Sequence, residues 1–249
     1  NPNFQGTKAM RVLDFITEFN ESAGEHYFFA FEYFNRGDGD KSLEKSRNCV
    51  ELCLEADATR VDAKSLLLFL TLKLGLTSKF DQLVERFSEH LNESYDYLLH
   101  IAMRAIAGGD FDKPFLLAQA AEDLKVSKVK FVEDVLAHGC RFFVGQYLQE
   151  ILSFGEKLAE TNSDSPVVNH IMGHLMEDDG NIHQAIDFYE SGLKIDSDNG
   201  HLHFELAIIY DTLGNSVLAN RHYKDAASNG VMTGEDARGF DWGDYEYMG

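Results

Sequence analysis

Small and apolar residues recur near the C-terminal end of the chain at a fixed interval of about 34 residues. The pairs that share this interval are Met172 and Leu206, Gly173 and Ala207, Gly180 and Gly214, Asn181 and Asn215, Ala185 and Ala219, Tyr189 and Tyr223, and Gly192 and Ala226. No segment alternates with period two for long enough to predict a sheet. The spacing therefore predicts pairs of helices that stack on copies of themselves.

The size of these residues indicates where the helices cross. Gly173, Ala185 and Gly192 are predicted at crossings, because only small side chains let two helix axes approach to about 8–10 Å. Gly180 is predicted in the turn between helices, where a positive φ costs least without a Cβ. Tyr189 is predicted to fill space between neighbouring pairs, with its hydroxyl at a polar edge.

Residues 166–199 (PVVNHIMGHLMEDDGNIHQAIDFYESGLKIDSDN) resemble a tetratricopeptide repeat over their full length, and residues 200–230 resemble a second. Spacing adds degenerate pairs over residues 23–160, and the pair at 128–160 is expected to show altered packing or a break. The resemblance implies an all-α, right-handed superhelix, or α-solenoid, of about six antiparallel helix pairs over residues 10–230. A leading helix at 10–19 is expected to cap the first pair.

The two ends of the chain do not follow the repeat. Residues 1–9 are predicted to be flexible, and NPNFQG resembles what protease cleavage of a tag leaves behind. Residues 231–249 are acidic and rich in aromatic residues. One interpretation is a disordered tail. The other is that Phe240, Trp242 and Tyr245 dock on the last repeat or on a second copy, which would form a homodimer contact.

The charge of the chain narrows the class of partner. Asp and Glu number 42 against 22 Lys and Arg, which gives a net charge of −20. Nucleic-acid binding requires neutralised phosphates, so we do not expect it. The longest apolar run falls far short of the roughly 20 residues of a membrane-spanning helix. We expect a basic or amphipathic protein partner, and the odd cysteine count favours a reducing, cytoplasmic location.

Candidate chemistry is sparse. His170 and His174 lie one turn apart on one helix face, which is the spacing of metal ligands, but Ile171 stands where a zinc hydrolase of that pattern carries glutamate. We interpret these residues, with His201 and His203, as solvated histidines of a binding groove; a fortuitous metal site is the alternative. No nucleophile elbow or phosphate loop is found, so no catalytic residue, cofactor or metal is predicted.

The resemblance implies that the first helix of each pair lines a concave groove. The N-terminal half of this groove is predicted to be apolar, and its C-terminal half acidic and rich in histidine. The alternative interpretation of the apolar residues is that they only pack the repeats together. The implied groove residues are Tyr27, Phe31, Phe34, Phe69, Leu99, Met103, His170, His174, Glu177, Asp178, His201, Phe204, Ile208 and Asp211.

These features predict a non-catalytic scaffold or adaptor that binds a peptide or helical segment of a partner protein. The alternative is a regulatory or targeting domain of a larger enzyme or of a secretion or assembly apparatus. An enzyme in its own right is not expected.

Overall fold

The computed structural model describes residues 22–36, 39–91, 94–162 and 164–231. The chain divides into two compact units, one ending at Arg104 and the other beginning at Ala105. The first unit contains α1 (Ala23–Asn35), α2 (Asp40–Ala56), α3 (Val61–Lys73), α4 (Thr77–Leu91) and most of α5 (Tyr95–Ile106). The second contains α6 (Lys113–Asp123), α7 (Lys128–Thr161), α8 (Pro166–Asp178), α9 (Ile182–Ile195), α10 (Gly200–Thr212) and α11 (Ser216–Ser228).

Successive helices pack against one another within each unit. In the first unit α1 contacts α2, α2 contacts α3 and α3 contacts α4; in the second, each helix from α6 to α11 contacts the next. Because the connections are short, neighbouring helices run antiparallel. The described residues contain no strand. The predicted all-α fold class is confirmed, with helices that stack in sequence within each unit.

Small residues hold the α1–α2 pair together. Ala30 on α1 and Ser46 on α2 are fully buried, and the Ser46 hydroxyl donates a hydrogen bond of 2.7 Å to the Ala30 carbonyl oxygen. Cys49 on α2 is also buried and forms no disulfide. A short hydroxyl and a thiol therefore take places that a long side chain could not occupy at this crossing.

The turns of the last two pairs repeat one geometry. Gly180 and Gly214 adopt φ angles of 79° and 75°, as predicted from their positions in the sequence. The next residue of each turn closes the helix end: Asn181 N–H donates to the Met176 carbonyl at 2.7 Å, and Asn215 N–H to the Tyr210 carbonyl at 2.8 Å. These bonds satisfy carbonyl groups that the helix leaves unpaired, so the glycine ends one helix and directs the chain into the next.

Glycine also permits the close crossings. A Cβ on Gly173 would lie 2.1 Å from Tyr189 Cε1, and a Cβ on Gly192 would lie 2.6 Å from Leu202 Cδ1. Tyr189 is fully buried, and its ring lies directly over Gly173 of its own pair. The predicted crossings at Gly173 and Gly192 are therefore confirmed, and Tyr189 is the residue that fills the first of them.

Helix α7 interrupts the regular series of hairpins. It runs for 34 residues, with non-helical backbone at Tyr147 (φ −134°, ψ 35°). The expected pair at 128–160 thus has one non-helical residue in place of a turn. Its glycines fall out of register, and a Cβ on Gly155 would lie 2.3 Å from Met172 Sδ of α8. The predicted break is found here, while a separate loop between two helices is not.

Two of the predictions concern the ends of the chain. The leading helix at 10–19 and the tail residues Phe240, Trp242 and Tyr245 lie outside the described residues.

Val231, the last described residue, packs against the start of α10, where a Cβ on Gly200 would lie 2.8 Å from its Cγ2. Among the described helices, none combines the length and apolar character that a membrane crossing requires.

We expect Gly173→Ala to lower the free energy of unfolding by about 1–3 kcal/mol, because its methyl group would overlap the buried Tyr189 ring. The matched control is Gly145→Ala on α7, where a new Cβ meets no atom within 4 Å. That change should be neutral or raise the free energy of unfolding by about 0.5–1 kcal/mol, since alanine favours helix. Urea denaturation checks both; equal effects of the two variants would contradict the crossing.

Candidate functional site

Two helices of the second unit, α8 and α10, carry the C-terminal part of the predicted groove. Both begin at equivalent repeat positions: the Ser165 hydroxyl accepts a hydrogen bond from Val168 N–H, and the Asn199 side chain accepts one from Leu202 N–H, each at 3.2 Å. Each cap satisfies an N–H group that the first helical turn leaves unpaired. The helices start in the same register, so equivalent residues face the same side.

Three polar side chains meet between these helices. His170 and His174 lie on one face of α8, and their Nε2 atoms are 3.1 Å apart. Glu205 approaches from α10, with its Oε1 at 3.8 Å from His170 Nε2 and 3.5 Å from His174 Nε2. The side chains of the three residues are 11%, 15% and 21% exposed, in that order. The prediction of solvated groove histidines is therefore wrong for His170, which faces Glu205 and His174 instead.

A second polar contact supports this cluster from α9. The Tyr189 hydroxyl donates a hydrogen bond of 2.5 Å to Glu177 Oε1. The same carboxylate oxygen lies 3.7 Å from His174 Nδ1, on the side of the ring away from Nε2. The rings of His174 and Tyr189 meet edge to face, with centroids 5.5 Å apart. Tyr189 thus fixes Glu177, and Glu177 faces the far nitrogen of His174.

Burial and mutual contact set the protonation of these groups. Burial alone would raise the pKa of Glu205, but interactions with His170 and His174 lower it to about 2. Burial lowers the pKa of His170 below its ordinary value. Burial raises the pKa of Glu177, opposed by the hydrogen bond from Tyr189. At neutral pH the cluster therefore contains an ionised Glu205 next to a neutral His170.

Beside this cluster lies a more exposed set of residues, which we call the α8–α10 surface: Glu177, Asp178, Phe204, Ile208 and Asp211. Asp178 and Asp211 are exposed, Ile208 is 38% exposed, and Glu177 and Phe204 are half-buried. Glu177 and Asp211 are equivalent in the repeat, so both lie on one side of the unit. His201, also half-buried, stacks on the His170 ring with centroids 6.5 Å apart. The two helices therefore carry both acidic and apolar residues with exposed surface.

The N-terminal predicted residues divide into two groups. Phe69, Leu99 and Met103 are buried, so they offer no surface to a partner and serve the packing role that the sequence left as an alternative. Phe31 is 49% exposed, while Tyr27 and Phe34 are half-buried. Phe34 and Tyr27 contact other residues of the first unit. The ring centroids of Phe34 and Phe69 are 5.4 Å apart, and the Arg60 guanidinium lies 4.4 Å from the Tyr27 ring centroid.

Glu205 is the member of the cluster that no sequence motif identified. Comparison of Glu205 with the equivalent residue of the preceding repeat could have identified it. Glu205 is equivalent to Ile171, which is buried at 6% exposure. A carboxylate at a core position of the repeat needs a buried partner, and the nearest polar residues of the preceding repeat are the two histidines.

No family model matches the sequence, and no curated protein matches it. Among solved structures, the chain is similar to MamA AMB-1 (20% identity, 73% of this chain and 98% of that chain, TM-score 0.39). It is also similar to PilF of Pseudomonas aeruginosa (13% identity, 80% and 88%, TM-score 0.43). A third is TTC0263, a tetratricopeptide repeat protein of Thermus thermophilus (15% identity, 84% and 91%, TM-score 0.33).

We expect Tyr189→Phe to lower the free energy of unfolding at pH 7 by about 1–3 kcal/mol, because it removes the hydrogen bond that a buried residue donates to a partly exposed carboxylate. Tyr210→Phe is the matched control, since its hydroxyl donates to the exposed Glu190 at 3.3 Å. That control should cost less than about 0.5 kcal/mol, as surface changes do. Urea denaturation of both variants decides; a Tyr189→Phe variant as stable as the control would argue against the contact.

Proposed function

We propose that this protein is a non-catalytic protein-binding module, and that its α8–α10 surface binds a basic, amphipathic segment of a partner protein. The observation that carries the proposal is the composition of that surface. Asp178 offers an exposed carboxylate at the end of α8, and Asp211 offers another near the end of α10, the helix that also carries Ile208 and Phe204. A peptide with alternating cationic and apolar residues would match both features.

Burial separates the residues that hold the surface in place from those that can bind. Leu206, Ala207 and Ile209 point into the unit, with exposures between 0% and 4%. Ile208, between Ala207 and Ile209, is 38% exposed, which is high for a large apolar residue in a helix that packs on both neighbours. Exposed apolar groups rimmed by polar residues are typical of surfaces that bind protein.

The net charge of the whole chain supports the same class of partner. At −20 the protein attracts cationic segments over distances up to about the Debye length, which is roughly 10 Å at 0.1 M salt. Such attraction raises the association rate, while contacts with apolar residues slow dissociation. The bound segment should therefore be both basic and apolar.

A peptide-display screen should select basic amphipathic sequences, and their affinity should fall as salt rises. For a selected peptide, Asp178→Lys combined with Asp211→Lys should weaken binding by about tenfold, from roughly 0.5–1 kcal/mol for each exposed charge. Fluorescence anisotropy at two salt concentrations measures both effects.

The control variant combines Asp187→Lys with Asp198→Lys, two exposed positions outside the α8–α10 surface. It changes the net charge equally and should leave most of the affinity intact. Selection of acidic peptides, or equal losses in the two double variants, would reject the proposed surface. Circular dichroism of each variant verifies that the helices are retained.

A further inference from the structure

The cluster between α8 and α10 has the form of a metal-binding site. His170 Nε2, His174 Nε2 and a Glu205 carboxylate oxygen all lie within 4.8 Å of one another. The two nitrogens are four residues apart on one helix, so they project from the same face, and the oxygen approaches from the next repeat. Two imidazole nitrogens and one carboxylate oxygen are a donor set that zinc and neighbouring divalent transition metals prefer.

The three distances fit a single ion. The separations are 3.1 Å between the two nitrogens, and 3.5 Å and 3.8 Å from those nitrogens to Glu205 Oε1. An ion about 0.7 Å out of the plane of these three atoms would lie about 2.1 Å from each, which is within the range of zinc bonds to nitrogen and oxygen and suits a tetrahedral ion. The ligand atoms of a tetrahedral zinc ion lie about 3.3–3.4 Å from one another, close to the three separations seen here.

We propose that His170, His174 and Glu205 form a binding site for Zn²⁺ or a similar divalent transition-metal ion, which joins two neighbouring repeats. The three ligands leave one position of a tetrahedral ion for water or for a group of a bound partner. Magnesium and calcium are poor candidates, because they favour oxygen ligands in larger number.

A carboxylate faces the second ring nitrogen of His174, as is common for histidines that bind metal. A metal-bound histidine commonly turns its second ring nitrogen toward a carboxylate, which fixes the ring and raises its basicity. Glu177 Oε1 lies 3.7 Å from His174 Nδ1, and the same oxygen accepts the hydrogen bond from Tyr189. Glu177, on the same helix as His174, thus orients the ligand, and Tyr189 from a third helix, α9, holds Glu177.

Packing of the repeats does not require this cluster. The residues equivalent to His170 and His174 in the next repeat are Phe204 and Ile208, and the residue equivalent to Glu205 is Ile171. Each polar member therefore stands where the neighbouring repeat has an apolar residue. Polar groups at such positions cost stability unless they are satisfied, and a bound ion would satisfy all three at once.

An ion can reach the cluster from solvent. Between 11% and 21% of each ligand side chain remains exposed, so no unfolding is needed for entry. Since an ion that binds only the folded protein stabilises it, the melting temperature should rise with zinc concentration. This inference is independent of the proposed peptide binding, because metal affinity is measured with no peptide present.

The test is isothermal titration of ZnCl2 into metal-stripped protein that carries no histidine tag. One ion should bind per chain, and Glu205→Gln and His174→Ala should each weaken binding at least tenfold. Glu205→Gln retains the size of the side chain, so the variant should fold. The matched control is His222→Ala, which removes one member of another histidine pair, with Nδ1 of His203 and His222 3.0 Å apart. It should bind zinc as the unaltered protein does.

A second measurement uses the unaltered protein alone. Zinc-edge X-ray absorption should show two imidazoles and an oxygen ligand, and Co²⁺ should give the visible bands of a tetrahedral site. The proposal is overturned if the unaltered protein binds no zinc, if Glu205→Gln binds it with unchanged affinity, or if the absorption spectrum lacks the two imidazoles.

Discussion

The close contact between Gly173 and Tyr189 is the packing constraint on which the second unit's polar centre depends. Because residue 173 has no side chain, the Tyr189 ring can lie against α8 and become fully buried. That position brings its hydroxyl to Glu177, and the Glu177 carboxylate in turn faces His174. A packing contact of the repeat thus determines where the carboxylate of Glu177, one turn further along the same helix, is held.

The last two repeats share a framework but differ in chemistry at equivalent positions. In one repeat His170 meets the Tyr189 ring at 6.0 Å, and in the next Phe204 meets the Tyr223 ring at 6.1 Å. The aromatic contact is therefore kept while the first residue changes from imidazole to phenyl. Since stability in stacked repeats is set mainly between neighbours, such an exchange alters one interface and leaves the framework intact.

The interval in the sequence predicted the framework because each repeated residue type has one physical role. Glycine at 180 and 214 serves a positive φ, and glycine at 173 and 192 serves close contact, so both could be located without coordinates. The 34-residue interval breaks down over α7, where the glycines fall out of register. The sequence therefore could not predict that this helix continues past Tyr147 without a loop. Likewise, helical spacing alone could not predict the burial of His170, because Glu205 on the next repeat covers it.

Glu205 illustrates how a polar site can arise in a repeat fold without a sequence motif. Its carboxylate and the two histidines lie on different helices and at inequivalent repeat positions, so only stacking of α10 beside α8 unites them. Ionised Glu205 is held by both histidines, and burying a charge is favourable only with such partners. The contact between these two repeats therefore depends on electrostatic satisfaction as well as on apolar packing. A ligand that changes the charge of the cluster would act directly on the interface between the repeats, next to the surface formed by Ile208 and Asp211.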